Sequence, residues 1–170
     1  KNIKLLAEAK NKKVSEINAC VLKRPRHEEI IKTLNNLNVK INYITDGDIA
    51  GALSVIGDDP KNDIYYSTGG APEGVVVAAA LSCYGGQIQG KLVLNEQEKI
   101  RAKKLGIIDF EKKYNIDDMV KGDVIFCATG VTSGDLADGV KDLGNEFEVN
   151  TFILHKSQKI IKSVTNIYNK

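Results

Sequence analysis

The sequence predicts an α/β fold, a layered α/β/α domain with a largely parallel, mixed sheet and a C-terminal antiparallel hairpin. Three observations carry this. Short strand-like runs alternate with helix-like runs through most of the chain, the pattern of parallel strands joined by crossover helices. Glycine-rich turns fall where predicted strands give way to helices, and in open parallel sheets ligands bind at those carboxyl ends. The last forty residues switch to a two-residue period around a polar turn, which is a hairpin signal.

Taken in order, residues 1–13 read as a basic amphipathic helix with Ile3 and Leu6 on successive turns. Residues 17–22 read as a strand, and 27–37 place Ile30, Ile31, Leu34 and Leu37 at helical spacing. Residues 39–44 alternate apolar and polar, a second strand. The turn Asp46-Gly47-Asp48 leads into an apolar helix over 49–56, closed by Gly57. A short strand at 63–66 precedes a glycine-rich turn at 68–74 and a buried helix at 75–84. Beyond Gly85-Gly86 the pattern predicts a strand at 87–94, a charged helix at 95–105 and a helical stretch near 116–120. A strand at 123–128 and a second glycine turn at 129–131 come next. Residues 148–155 and 159–168 form the hairpin around Lys156-Ser157-Gln158. The chain has no internal repeat, low-complexity tract or linker.

Composition narrows the functional classes. With 170 residues, 42% of them hydrophobic, the chain can bury a core without a metal or disulfide staple. The near balance of 24 basic and 22 acidic residues, net +2, argues against long disorder and against a general nucleic-acid binder. No apolar run reaches membrane-spanning length and no secretory signal opens the chain, so the expected location is cytoplasmic. The chain starts at Lys1 and its one methionine is Met119, which suggests a processed chain or fragment. Cys20, Cys83 and Cys127 form no C-x-x-C pair and have apolar neighbours, so three buried thiols are expected. Only His27 and His155 could serve a thiol as base, and neither sits in a nucleophile motif.

Four stretches could carry chemistry. In Arg24-Pro25-Arg26-His27, two of only three arginines, against 21 lysines, stand at a strand-to-helix junction. The planar guanidinium fork grips phosphate or carboxylate in a bidentate way that lysine cannot. Pro25 stiffens the turn. Taken alone, the segment also reads as a solvated basic turn. Asp46-Gly47-Asp48 sets two carboxylates about a glycine at a strand end; they can cap the next helix, with Asp48 as cap, bind sugar hydroxyls or help hold a metal.

The stretch from Ser67 through Gly69-Gly70-Ala71-Pro72-Glu73-Gly74 combines backbone free to approach a ligand with a helix start suited to Pro72. Glu73 reads either as a carboxylate favoured by the helix dipole or as a metal ligand beside a held phosphate. It is neither a P-loop nor a G-x-G-x-x-G fingerprint. The fourth stretch, Ala128-Thr129-Gly130 through Asp135, reads as a tight turn into a helix or as part of the same edge.

Together these stretches resemble the class II fructose-1,6-bisphosphatase family, the GlpX-like enzymes. The likeness rests on Arg24-Pro25-Arg26-His27, Ile44-Thr45-Asp46-Gly47-Asp48, Gly69-Gly70-Ala71-Pro72-Glu73-Gly74 and Val124 to Val131, in register over about 110 residues. The resemblance implies a sugar-phosphatase-like fold. It implies a Mn²⁺- or Mg²⁺-dependent enzyme that removes the 1-phosphate of fructose 1,6-bisphosphate; some relatives also use sedoheptulose 1,7-bisphosphate. By the same resemblance Arg24, Pro25, Arg26, Asp46, Gly47, Asp48 and Gly70 bind substrate, and Glu73 is a metal ligand.

The match is to the C-terminal half of the family. The Asp-Pro-x-x-Gly-Thr stretch and the other acidic ligands of the N-terminal half are not found here, so no catalytic residue is assigned within these 170 residues. Residues 1–170 are therefore expected to be a single C-terminal domain. It would partner an N-terminal domain within a homo-oligomer when intact, with no nucleic-acid or membrane partner. A phosphorylated-ligand binding or regulatory module without catalysis is the alternative.

Overall fold

Three parallel strands organise the first half of the chain: β1 (Asn18–Leu22), β2 (Lys40–Ile44) and β3 (Ile64–Tyr66), side by side in the order β2-β1-β3. They are taken from a computed structural model that describes residues 1–45 and 47–170. β1 is the central strand, and Ala19, Cys20, Val21 and Leu22 are all buried, as a parallel strand covered on both faces must be.

Helix α1 (Asn2–Ala9) and helix α2 (Glu28–Asn36) cover one face, where Ile3, Ala7 and Leu34 meet Ile17, Ala19 and Val21. Helix α3 (Asp48–Leu53) and helix α4 (Ala71–Tyr84) lie on the other, where Ala52 meets Val77 and Leu81. Gly51 lets α3 press onto the strands. A Cβ there would stand 2.6 Å from both Ile44 Cδ1 and Tyr65 Cε2.

Helix α4 is packed on two sides, while Val75 and Val76 stay exposed. Its far side carries Ala80 into a third cluster with Phe126 and Leu154, which belong to a second sheet. Before that sheet come β4 (Gly90–Lys91), helix α5 (Glu96–Lys104), β5 (Lys113–Tyr114) and helix α6 (Ile116–Met119). The second sheet is antiparallel: β6 (Ile125–Thr129), β7 (Lys141–Asp142), β8 (Glu146–His155) and β9 (Ile160–Asn169). The layers thus run α1/α2, parallel sheet, α3/α4, antiparallel sheet.

The α/β class and the terminal hairpin agree with the sequence reading. Two details differ. The strand expected at 87–94 shrinks to β4, because only β5 pairs with it and the neighbouring Val93 is 77% exposed. The strand expected at 123–128 does not extend the parallel sheet; as β6 it pairs antiparallel with β8. Cys127 is exposed rather than buried, since side chains alternate along β6 and Phe126 takes the inward position. Cys20 is buried and Cys83 half-buried, and burial pushes both thiols up.

One buried carboxylate ties α1 to the sheet. Asp63 accepts from the Asn18 N–H at 2.9 Å and pairs with Lys10 and Lys12 at 2.6 and 2.8 Å. Burial alone would raise its pKa, but these three donors outweigh it and hold the group at about 2. Among the described residues no helix is long and apolar enough to cross a membrane.

Candidate functional site

The turns that leave β1, β2 and β3 all open at the carboxyl edge of one parallel sheet, and side-chain bonds join them into one rim. After β1, Arg24 is extended and Pro25–His27 form a single 3₁₀ turn. Proline suits its first position because its fixed φ is pre-set for the turn. Arg24 and Arg26 are exposed while His27 is fully buried. Arg26 Nε donates to the carbonyl of Thr68, in the turn after β3. His27 Nε2 lies 2.9 Å from the Thr68 amide nitrogen.

The turn after β2 reaches the same place. Asp48 Oδ1 accepts from Tyr65 Oη at 2.6 Å and from Ser67 Oγ at 2.7 Å. Asp48 does not cap its helix as expected: Gly47, at φ +87°, is the cap residue, and no side-chain cap bond forms. The carboxylate turns instead toward β3. Burial, and then this carboxylate, push the Tyr65 phenol well above its ordinary value, so it stays a donor. Gly69 lies beside the same group, since a Cβ on it would be 3.6 Å from Asp48 Oδ2. Asp46, expected to bind substrate, lies outside the described residues.

After β3, Gly70 is the extended cap residue of α4, with Ala71, Pro72 and Glu73 in the first turn. Glu73 is exposed and folds back over Gly70, where a Cβ would collide with Glu73 Oε2. Any residue larger than glycine would displace that carboxylate. Among the described residues no acceptor takes the N–H groups of Gly69, Gly70, Ala71 or Glu73. Unpaired amides at the start of a 14-residue helix favour an anion. The rim therefore sets guanidinium and amide donors beside the carboxylates of Asp48 and Glu73.

A divalent cation needs several oxygen ligands. Among the described residues no group of three or more His, Cys, Asp or Glu could hold one. Glu73 fits as a single ligand, not as a site.

The fourth stretch lies elsewhere. Thr129 ends β6 in the antiparallel sheet, and Gly130 packs so closely on Asp138 O that a Cβ would collide with it. No helix follows; Asp135 and Leu136 instead line a cavity of about 340 Å³ together with Cys20, Asn42, Ile44 and Ser54. At the far end of the hairpin, His155, Asp123 and Ser157 have the composition of a nucleophilic triad. However, the same nitrogen, Nε2, faces Asp123 Oδ2 at 2.8 Å and Ser157 Oγ at 3.2 Å. A relay needs the two ring nitrogens on different partners, so this cluster closes a turn.

The sequence reading placed Arg24, Arg26, Gly47, Asp48, Gly70 and Glu73 on strand-end turns, and the structure brings those turns together. It singled out His27, Ser67 and Thr68 within those stretches without a joining role, and it missed Tyr65. The available signal was a histidine directly after Arg-Pro-Arg and a hydroxyl pair directly before Gly-Gly, both at strand ends.

The family described as bacterial fructose-1,6-bisphosphatase, glpX-encoded, matches residues 1–168. A fructose-1,6-bisphosphatase class 2 of Haemophilus influenzae is 33% identical over 98% of the chain and 54% of its own length. The fructose-1,6-bisphosphatase 1 class 2 of Escherichia coli K12 is 34% identical over the same shares. The chain thus spans about half the length of the curated relatives it matches.

Proposed function

The chain belongs to the glpX-encoded family of bacterial fructose-1,6-bisphosphatases, and on that premise we propose that it supplies the substrate-binding turns and one metal ligand of a sugar bisphosphatase. The reaction is hydrolysis of the 1-phosphate of fructose 1,6-bisphosphate, with sedoheptulose 1,7-bisphosphate as a further substrate. The observation that carries this is the single rim on which the Arg24–Arg26 turn, Asp48 and the amides about Gly70 meet. Arg24 and Arg26 hold phosphate by bidentate bonds. The amides of Gly69 and Gly70 give fixed donors that cost no reorganisation when charge shifts in the reaction. Asp46, Gly47 and Asp48 take sugar hydroxyls.

Glu73 gives one oxygen to a Mn²⁺ or Mg²⁺ ion, which when bound would neutralise phosphoryl charge and activate water. The remaining ligands and the residue that assists water come from the half of the enzyme that the curated relatives have beyond the matched region. Residues 1–170 are in this reading a single C-terminal domain of a cytoplasmic homo-oligomer.

The 170-residue chain, given fructose 1,6-bisphosphate and Mn²⁺, is expected to release no phosphate above background. Robust turnover by it, free of full-length enzyme, would show that the chemistry has been misplaced. In a full-length enzyme, Glu73→Gln is expected to abolish activity with the fold retained. Unchanged metal dependence would instead favour a phosphorylated-ligand binding or regulatory module, in which Glu73 only complements the helix dipole.

A further inference from the structure

His27 is fully buried, and none of the substrate contacts proposed above uses it. Its ring spans two rim turns. Nδ1 lies 2.7 Å from Leu22 O; a carbonyl can only accept, so Nδ1 carries the proton. Nε2 lies 2.9 Å from Thr68 N and 3.2 Å from Thr68 O; the nearer group is an amide N–H, which can only donate, and the carbonyl is already taken by Arg26 Nε, so Nε2 is assigned the bare lone pair. The Thr68 carbonyl takes its bond from Arg26 Nε. One residue is therefore gripped at both polar ends, its N–H by His27 and its C=O by Arg26.

Two consequences follow from covalent geometry. Arg26 has spent one of five N–H donors, and the planar fork is held by that bond while the four Nη hydrogens remain for an anion. No peptide bond in the described chain is cis, so the Gly69 N–H lies opposite the Thr68 C=O across their shared peptide. Fixing that carbonyl on Arg26 aims the Gly69 amide away from the guanidinium. The distance and angle between the two donor groups are then set through Thr68.

We propose that His27, in its Nδ1-protonated form, is a positioning residue that fixes the Arg26 fork relative to the amide-rich turn at Gly69 and Gly70, and thereby the affinity of the rim for the phosphate of a sugar phosphate. The proposal rests on the reading of this rim as the phosphate-binding part of the site.

The test uses the 170-residue chain, with inorganic phosphate and fructose 1,6-bisphosphate as probes in titration calorimetry. In His27→Gln the amide oxygen reaches the place of Nε2 and can still accept from Thr68 N–H. In His27→Asn the amide reaches only the place of Nδ1, which leaves Thr68 N–H without a partner. Freeing Thr68 loosens the Arg26 fork relative to the Gly69–Gly70 turn, and that loss of pre-arrangement is expected to weaken binding about tenfold or more. The expected result is that His27→Gln binds within about threefold of wild type, while His27→Asn binds about tenfold or more weakly. The two are expected to have similar urea midpoints, because each loses one of the two imidazole bonds.

Equal affinities for Gln, Asn and wild type, with Arg26→Ala still weakened, would overturn the role of His27 and leave the rim reading standing. No binding by wild type, or no effect of Arg24→Ala and Arg26→Ala, would overturn both. Nitrogen NMR of the wild-type ring provides a measurement that needs no variant. A protonated Nδ1 and bare Nε2 are expected, and the opposite tautomer would overturn the proposal.

Discussion

His27 sits at the rim of the parallel sheet with no exposed surface, whereas His155 ends β8 beside the exposed Asp123 and Ser157 at the tip of the antiparallel hairpin. The first ring bonds only to backbone, 5 and 41 residues away in sequence. The second bonds to a carboxylate and a hydroxyl that water can also reach. A buried ring with fixed backbone partners locks two turns together, because losing either bond leaves a polar group unsatisfied. An exposed cluster gains little, because water replaces each partner. The two sheets divide the work in the same sense. The parallel sheet carries the Arg24–Arg26, Gly47–Asp48 and Gly69–Glu73 turns on its rim, while the fourth candidate stretch follows β6 of the antiparallel sheet. The antiparallel sheet backs α4 through Phe126 and Leu154 and leaves Ile125, Ile161 and Ile167 exposed.

Three changes would break or sharpen that contrast. Leu154 is fully buried between α4 and β6, so Leu154→Ala is expected to cost about 2–5 kcal/mol. A urea titration will measure this, while phosphate affinity of the folded fraction stays within about twofold of wild type. A comparable loss of affinity in the folded fraction would mean that the two sheets are coupled through α4.

The second change reads the buried carboxylate of the parallel sheet by pH. The folded-state value of Asp63 is about 2, below its ordinary 3.8. Its contribution is therefore complete above about pH 4 and is lost as pH falls toward 2. Wild type is expected to lose on the order of 1 kcal/mol more than Asp63→Asn across that window, measured by urea midpoints at each pH. Parallel curves for the two proteins would show that the Lys10, Lys12 and Asn18 contacts do not stabilise the fold.

The smallest effect belongs to the hairpin tip. The hydroxyl of Ser157, then His155, hold the Asp123 carboxyl well below its usual range, yet Asp123 and Ser157 are exposed. Ser157→Ala is expected to change stability by no more than about 0.5 kcal/mol and to leave phosphate affinity unaltered. A thermal scan together with calorimetry will check both.

Much of the site was legible as motifs, because a turn that receives a ligand needs particular residues side by side. Arg24-Pro25-Arg26, Gly47-Asp48 and Gly69-Gly70 through Glu73 announce themselves within a few positions. What joins those motifs was not legible. Tyr65 and Ser67 reach Asp48 across 17 and 19 residues, and nothing local to a tyrosine in a short strand says which carboxylate it meets. Asp48 itself looked like a helix cap, a reading that local preference supports. Its half-buried carboxylate was claimed instead by the hydroxyls of Tyr65 on β3 and Ser67 just beyond it.

The same division holds for the fold as a whole. The sequence by itself determined that strands and helices alternate, where parallel strands end in turns, and that the chain closes in a hairpin. These features are written in bonds and periodicities only a few residues long. Tertiary structure alone decided that β6 joins β8 rather than the parallel sheet, that Cys127 faces outward, and that His27 clasps Thr68. Each of these depends on a partner brought near by burial of α4 and β1, and hydrophobic burial is non-directional, so its pairings emerge only once the layers have packed.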